Sequence, residues 1–160
     1  MITEGARPVD IFATHLGTIS EYDMNRLRSL VKNAEWRYLI DRLYDTADVD
    51  FWEPCRRAFL IRIPAGGSIN RHHDDFIKEE TDHLVIETNP GCENWWIDRA
   101  GRERMIHMAE GQRYRVERSP IHWAFNRGTT PRIHLLVEKN VGGKIDAQEH
   151  AWGHGRVQAG

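Results

Sequence analysis

From Arg57 to Glu138 the chain is cut into short runs by turn residues, and this texture constrains the fold more than any other feature. Phe59, Ile61 and Ile63 alternate with Leu60 and Arg62, as in a half-buried strand. Pro64-Ala65-Gly66-Gly67 reads as a turn. Further short runs follow at Ser68 to His72, His83 to Thr88, Trp95 to Asp98, Arg104 to His107, Gln112 to Val116, His122 to Phe125 and Arg132 to Glu138. Asn89-Pro90-Gly91, Ala100-Gly101, Glu110-Gly111 and Gly128 separate them. Many short strands with such punctuation predict a sandwich or barrel. We expect a mainly β fold with N-terminal helices: a double-stranded β-helix (jelly roll, cupin-like).

The N-terminal third has a different period. Ser20 suits a helix N-cap, and Met24, Leu27, Leu30 and Val31 follow at helical spacing. Trp36, Leu39, Ile40, Leu43 and Tyr44 repeat the pattern, which predicts one broken or two consecutive helices over 21–44, packed on one sheet. Residues 45–50 read as a polar, acidic connection. A chain of 160 residues is about one domain. We expect residues 1–50 to form a helical support, 57–140 a jelly-roll core, and 141–160 a poorly ordered or lid-like tail.

Bulk properties exclude several classes. The net charge is −2 and the pI is near 6.5, with both signs interspersed, so nothing suggests nucleic-acid binding. Cys55 and Cys92 form neither a metal-type pair nor a disulfide framework. No apolar run approaches the ~18 residues of a membrane span, and the first residues lack an apolar signal core. A soluble, reducing, cytoplasmic setting is the expectation.

Three features then fit together as one site: the run Arg71-His72-His73-Asp74-Asp75, His122, and Arg132 ten residues after His122. A His-x-Asp pair on a strand would turn an imidazole and a carboxylate to one face. A second imidazole completes a two-His, one-carboxylate face with open positions opposite, the geometry of non-haem Fe(II) oxygenases. His72, Asp74 and His122 are the candidate metal ligands, although His73 and Asp75 satisfy the same spacing. Arg132 precedes the apolar residues Ile133, Leu135, Leu136 and Val137, where a guanidinium needs an anionic partner. Its planar fork suits a carboxylate. Together these residues point to an Fe(II)- and 2-oxoglutarate-dependent dioxygenase that takes O2 and hydroxylates a C–H bond.

The segment from about Phe59 to Glu138 resembles the catalytic core of the aspartyl/asparaginyl β-hydroxylase-like family, a group of cupin-type 2-oxoglutarate oxygenases that includes some proline hydroxylases. The resemblance is carried by Ile63-Pro64-Ala65-Gly66-Gly67-Ser68-Ile69 with His72, by Asp82-His83-Leu84-Val85-Ile86 leading to Pro90-Gly91-Cys92, by Glu110-Gly111, by His122 with Asn126, and by Thr130-Pro131-Arg132. The family's spacing from Ile69 selects His72 and Asp74 over His73 and Asp75. The resemblance also implies that His83 donates to a 2-oxoglutarate carboxylate; otherwise it is a satisfied barrel histidine. It implies Fe(II) and 2-oxoglutarate as cofactor and cosubstrate.

The substrate is expected to be a small-molecule or peptidyl amino acid. The chain carries no helical-repeat arm of the kind that presents protein substrates to some relatives, which favours a small one. Trp95, Trp96 and Trp123 read as core or wall aromatics, with Trp123 turned away from the site. Asn126 is a further pocket candidate, and His150 and His154 read as exposed. The competing classes are a metal-dependent cupin enzyme that uses no 2-oxoglutarate, and a non-enzymatic cupin sensor of small acids. Succinate release coupled to O2 uptake separates them. The oligomeric state is not readable from the sequence.

Overall fold

The turn residues divide the chain into ten strands and one helix. The computed structural model describes residues 5–38, 43–74 and 79–140. The elements are β1 (Ala13–Thr18), α1 (Glu21–Lys32), β2 (Asp45–Asp48), β3 (Arg57–Ile63), β4 (Ser68–His72), β5 (Glu79–Glu87), β6 (Cys92–Ile97), β7 (Glu103–Ile106), β8 (Gln112–Val116), β9 (His122–Asn126) and β10 (Arg132–Asn140). They form a six-stranded sheet in the order β1-β8-β5-β10-β3-β2 and a four-stranded sheet in the order β4-β9-β6-β7. Every named pairing is antiparallel. This is the expected double-stranded β-helix.

Strand alternation sorts the side chains between two environments. On β10, Ile133, Leu135 and Val137 join Leu60, Leu84 and Ile86 in a core on the outer face of the larger sheet. Met24 and Leu27 of α1 cover that core. Ser20 caps the helix by accepting from the Asp23 N–H at 3.1 Å, which contributes about 1 kcal/mol. The opposite face of β10 turns Arg132, Leu136 and Glu138 into a cavity between the sheets.

Three sequence expectations are corrected. A single helix ends at Lys32; the second helical stretch is absent where described, since Arg37 and Leu43 make β-bridges to Thr46 and Ser68. The apolar spacing there serves two faces: Trp36 packs on the outer core and Tyr44 on the cavity wall. The acidic connection is partly strand β2, with Asp45 paired to Arg62 at 2.8 Å and Asp48 to Arg57 at 3.3 Å. β1 went unpredicted because it is a mostly exposed edge strand, where apolar alternation is not required. The tail expectation, with His150 and His154, lies outside the described residues.

Candidate active site

The turn before β4 sets up the site. Gly66 has φ 82, and a Cβ on Gly67 would lie 2.4 Å from the Leu43 carbonyl oxygen, so the tight turn needs both glycines. β4 then pairs with β9, Ile69 opposite Ala124 and His72 opposite His122, with an irregular register between. Three steps on β4 therefore match two on β9. This bulge lets Ile69 and His72, which strict alternation would put on opposite faces, both line the cavity.

His72, Asp74 and His122 come together there, one ligand atom from each lying within 4.8 Å of the others. The strand reasoning for Asp74 is corrected: β4 ends at His72 and Asp74 follows in coil, its N–H donating to the Arg118 carbonyl at 2.9 Å. His72 Nδ1 lies 2.8 Å from the Asn70 carbonyl and His122 Nδ1 2.7 Å from the Pro120 carbonyl. A carbonyl only accepts, so each neutral ring carries its hydrogen on Nδ1 and leaves a lone pair on Nε2. His122 Nε2 lies 3.8 Å from Asp74 Oδ2. Two oriented Nε2 lone pairs and a carboxylate are a fitting donor set for a divalent transition metal.

Electrostatics prepare the same set. Burial, then the neighbouring His72, pushes His122 down to about 4, so it is neutral at pH 7. Burial alone would raise Asp74, but Arg118 and then the two histidines outweigh it and hold the carboxyl below its ordinary range. Arg118 reaches Asp74 Oδ2 at 3.5 Å and Glu138 Oε2 at 3.3 Å, and Arg56 meets Glu138 Oε1 at 2.7 Å. Sequence reasoning missed Arg118 and Glu138, because charged side chains in ordinary runs carry no motif. It also missed Phe12, which lines the cavity, stacks on Trp96 at 5.4 Å and tilts over His122 at 5.3 Å.

The other end of the cavity holds Arg132, 3% exposed. It donates to Asn94 Oδ1 at 2.9 Å, and no carboxylate among the described residues pairs with it. Burial pushes it down to about 10, so it stays charged. His83 lines the cavity beside it, and burial followed by the Arg132 charge holds it well below the imidazole range. Between the two ends runs an apolar wall of Phe59, Ile61 and Leu136, with Ile69 and Tyr44. Thr81, 3% exposed, turns a hydroxyl without a hydrogen-bond partner toward this space. The cavity holds about 670 Å³, within the range of small-molecule sites.

One further candidate falls elsewhere. Asn126 organises the loop leading to Arg132 instead of lining the cavity, donating to the Ile63 and Thr130 carbonyls and accepting from the Gly128 N–H. Trp123, expected to turn away from the site, stacks on Trp95 at 6.0 Å under the Arg71 guanidinium. His73 lines the cavity without joining the cluster, and Asp75 lies outside the described residues.

This geometry agrees with what the chain is related to. Residues 39–140 match the aspartyl/asparaginyl beta-hydroxylase family. The chain belongs to that family. It is 29% identical over 82 residues to the L-proline cis-4-hydroxylase of Rhizobium meliloti (strain 1021); the match spans 49% of this chain and 28% of that relative. Its fold is similar to a 2OG-Fe(II) oxygenase family protein from Burkholderia pseudomallei, with TM-score 0.66 and 12% identity over 81% of this chain and 84% of that one. It is also similar to a Pseudomonas putida prolyl-4-hydroxylase, with TM-score 0.62 and 11% identity over 84% and 95%. No helix of the described residues is long and apolar enough to cross a membrane.

Proposed function

We propose that this family member is an Fe(II)- and 2-oxoglutarate-dependent dioxygenase that hydroxylates an unactivated C–H bond of an amino acid or amino-acid-like side chain. One observation carries the reading: a set of two oriented imidazoles and a carboxylate shares a cavity with a buried guanidinium that has no carboxylate partner among the described residues. His72, Asp74 and His122 would hold the iron. Arg132 would hold the distal carboxylate of 2-oxoglutarate, with His83 beside it. When bound, the pair supplies O2 activation coupled to oxidative decarboxylation of 2-oxoglutarate to succinate and CO2, with one oxygen atom going to the substrate.

The chain's own residues do the rest. The Asn70 and Pro120 carbonyls hold the two imidazoles with Nε2 inward. Arg118 keeps Asp74 ionised and aimed at them. Phe59, Ile61 and Leu136 line the space between the metal end and the Arg132 end with apolar side chains. A cavity of about 670 Å³ leaves room for a small substrate beside the cosubstrate. Proline and other cyclic amino acids are the first substrates to try, given the partial likeness to a proline hydroxylase. A cytoplasmic setting is part of the reading, in keeping with the free thiols of Cys55 and Cys92.

The test is an anaerobic titration with Fe(II) and then 2-oxoglutarate, watching for the visible charge-transfer band of a chelated 2-oxo acid. Succinate formation is then screened against amino acids and prolyl peptides. Metal binding with neither band nor succinate would refute the proposal in favour of a cupin that uses no 2-oxoglutarate.

A further inference from the structure

His134 is a buried imidazole, 1% exposed, two residues beyond Arg132 on β10, and it lies outside the cavity lining. Its Nδ1 faces the Nδ1 of His83 at 3.0 Å, with the two rings edge to face at 83°. Two ring nitrogens at this distance share one hydrogen, so one donates and the other accepts. Both rings are neutral at pH 7, because burial and then the Arg132 charge hold each well below the imidazole range.

A neutral imidazole carries its hydrogen on one nitrogen only, which leaves two arrangements. In the first, His83 donates from Nδ1 and turns a bare Nε2 lone pair toward the cavity. In the second, His134 donates from Nδ1, His83 accepts, and His83 presents Nε2–H to the cavity. Arg132 favours an anion at this end, and a carboxylate can only accept. A lone pair repels it; an N–H binds it, and hydrogen bonds to charged groups are the stronger kind.

We infer that His134 is a positioning residue: by donating from Nδ1 it fixes His83 as the Nε2–H tautomer, which then donates to the carboxylate held at Arg132. The inference rests on the 2-oxoglutarate reading above and adds a residue that touches neither metal nor cosubstrate. The rest of the cavity-facing row of β10 fits the assignment. Arg132, Leu136 and Glu138 all reach the cavity, and His134 acts on it through a neighbour.

Two measurements test it. In Zn(II)-loaded protein, a two-bond ¹H–¹⁵N correlation spectrum reads the tautomer of each histidine; His83 should be protonated at Nε2 and His134 at Nδ1. Calorimetry of 2-oxoglutarate binding to Fe(II)-loaded protein without O2 should show His134→Leu weakening binding by about tenfold or more, with metal affinity unchanged. His134→Asn, whose amide nitrogen can take the place of the imidazole Nδ1, should restore most of it. A His83 protonated at Nδ1, or equal 2-oxoglutarate affinity in wild type and His134→Leu, overturns the assignment. If His134→Leu fails to fold, the wild-type spectrum and His134→Asn still decide. A wild type that binds metal but no 2-oxoglutarate overturns the dioxygenase reading, and the donor role of His134 with it.

Discussion

Replacing Arg132 with Met should make the ligand-free protein more stable and the enzyme far worse. The guanidinium is 3% exposed, and among the described residues its one hydrogen bond is to Asn94 Oδ1. Burial pushes it down to about 10; at about 1.4 kcal/mol per tenfold change in proton affinity, this charge costs the empty fold about 3 kcal/mol. Met keeps most of the volume and removes the charge. It also leaves Asn94 Oδ1 without its donor, a loss of about 1 kcal/mol or more. The balance is a gain of about 1–2 kcal/mol, or about 2–8 °C in Tm for a chain of this size. With 2-oxoglutarate the sign reverses, because losing one partner of a buried pair costs about 2–5 kcal/mol. The KM for 2-oxoglutarate should rise at least about thirtyfold, from succinate formation at saturating Fe(II), and 2-oxoglutarate should raise the Tm of wild type alone. An unchanged KM, or a variant that 2-oxoglutarate stabilises as much as wild type, would refute the clamp.

His122→Ala should weaken metal binding more than about a hundredfold, beyond the loss from outer-shell changes, and abolish the charge-transfer band. Asp74→Ala should eliminate hydroxylation while Asp75→Ala is mild; the opposite order in turnover assays would move the site to His73 and Asp75. The metal-free protein should lose stability as pH falls from about 6.5 toward 4, because the unfolded chain binds protons that buried His122 refuses. His122 alone accounts for about 3 kcal/mol of this, and His83 and His134 act in the same direction. Urea melts across that range that show no fall would contradict it. Leu60→Ala, at a site with 0% exposure under α1, should cost about 2–5 kcal/mol in the same melts and leave the metal affinity of the folded protein unchanged.

The sequence shows most where a single requirement acts on a residue. β4 and β8 have the predicted bounds, because turn glycines precede both and, in β8, Tyr114 and Val116 alternate with polar residues. The cluster of His72, Asp74 and His122 was legible because unusual residue types stand at telling spacings. Edge strands β1 and β2 were not, since their outward side chains answer to water and to arginine partners. The 34–44 stretch misled because Trp36 and Tyr44 pack on two different surfaces, which mimics one helical face. Phe12 reaches the site from a segment distant in sequence, and Arg118 and Glu138 reach Asp74 and each other only across the fold. No local pattern announces such a convergence. His134 looked like any strand histidine until the register of β5 against β10, which pairs it with Val85, brought it diagonally onto His83.

The irregular pairing of β4 makes the two sides of the proposed metal face unequal in how they tolerate a change in chain length. Asn70 and Arg71 together occupy the space of one residue opposite β9. Deleting Asn70 would remove the surplus residue and restore plain alternation, with Ile69 and His72 both still facing inward. The same deletion on β9, at Trp123, has no surplus to absorb it and would rotate His122 relative to Ala124 and Asn126. A one-residue deletion should therefore be survivable on the first ligand strand and fatal to metal binding on the second, measured as metal affinity in the two shortened proteins. The spare residue makes β4 the side on which this fold can change length and keep its ligand.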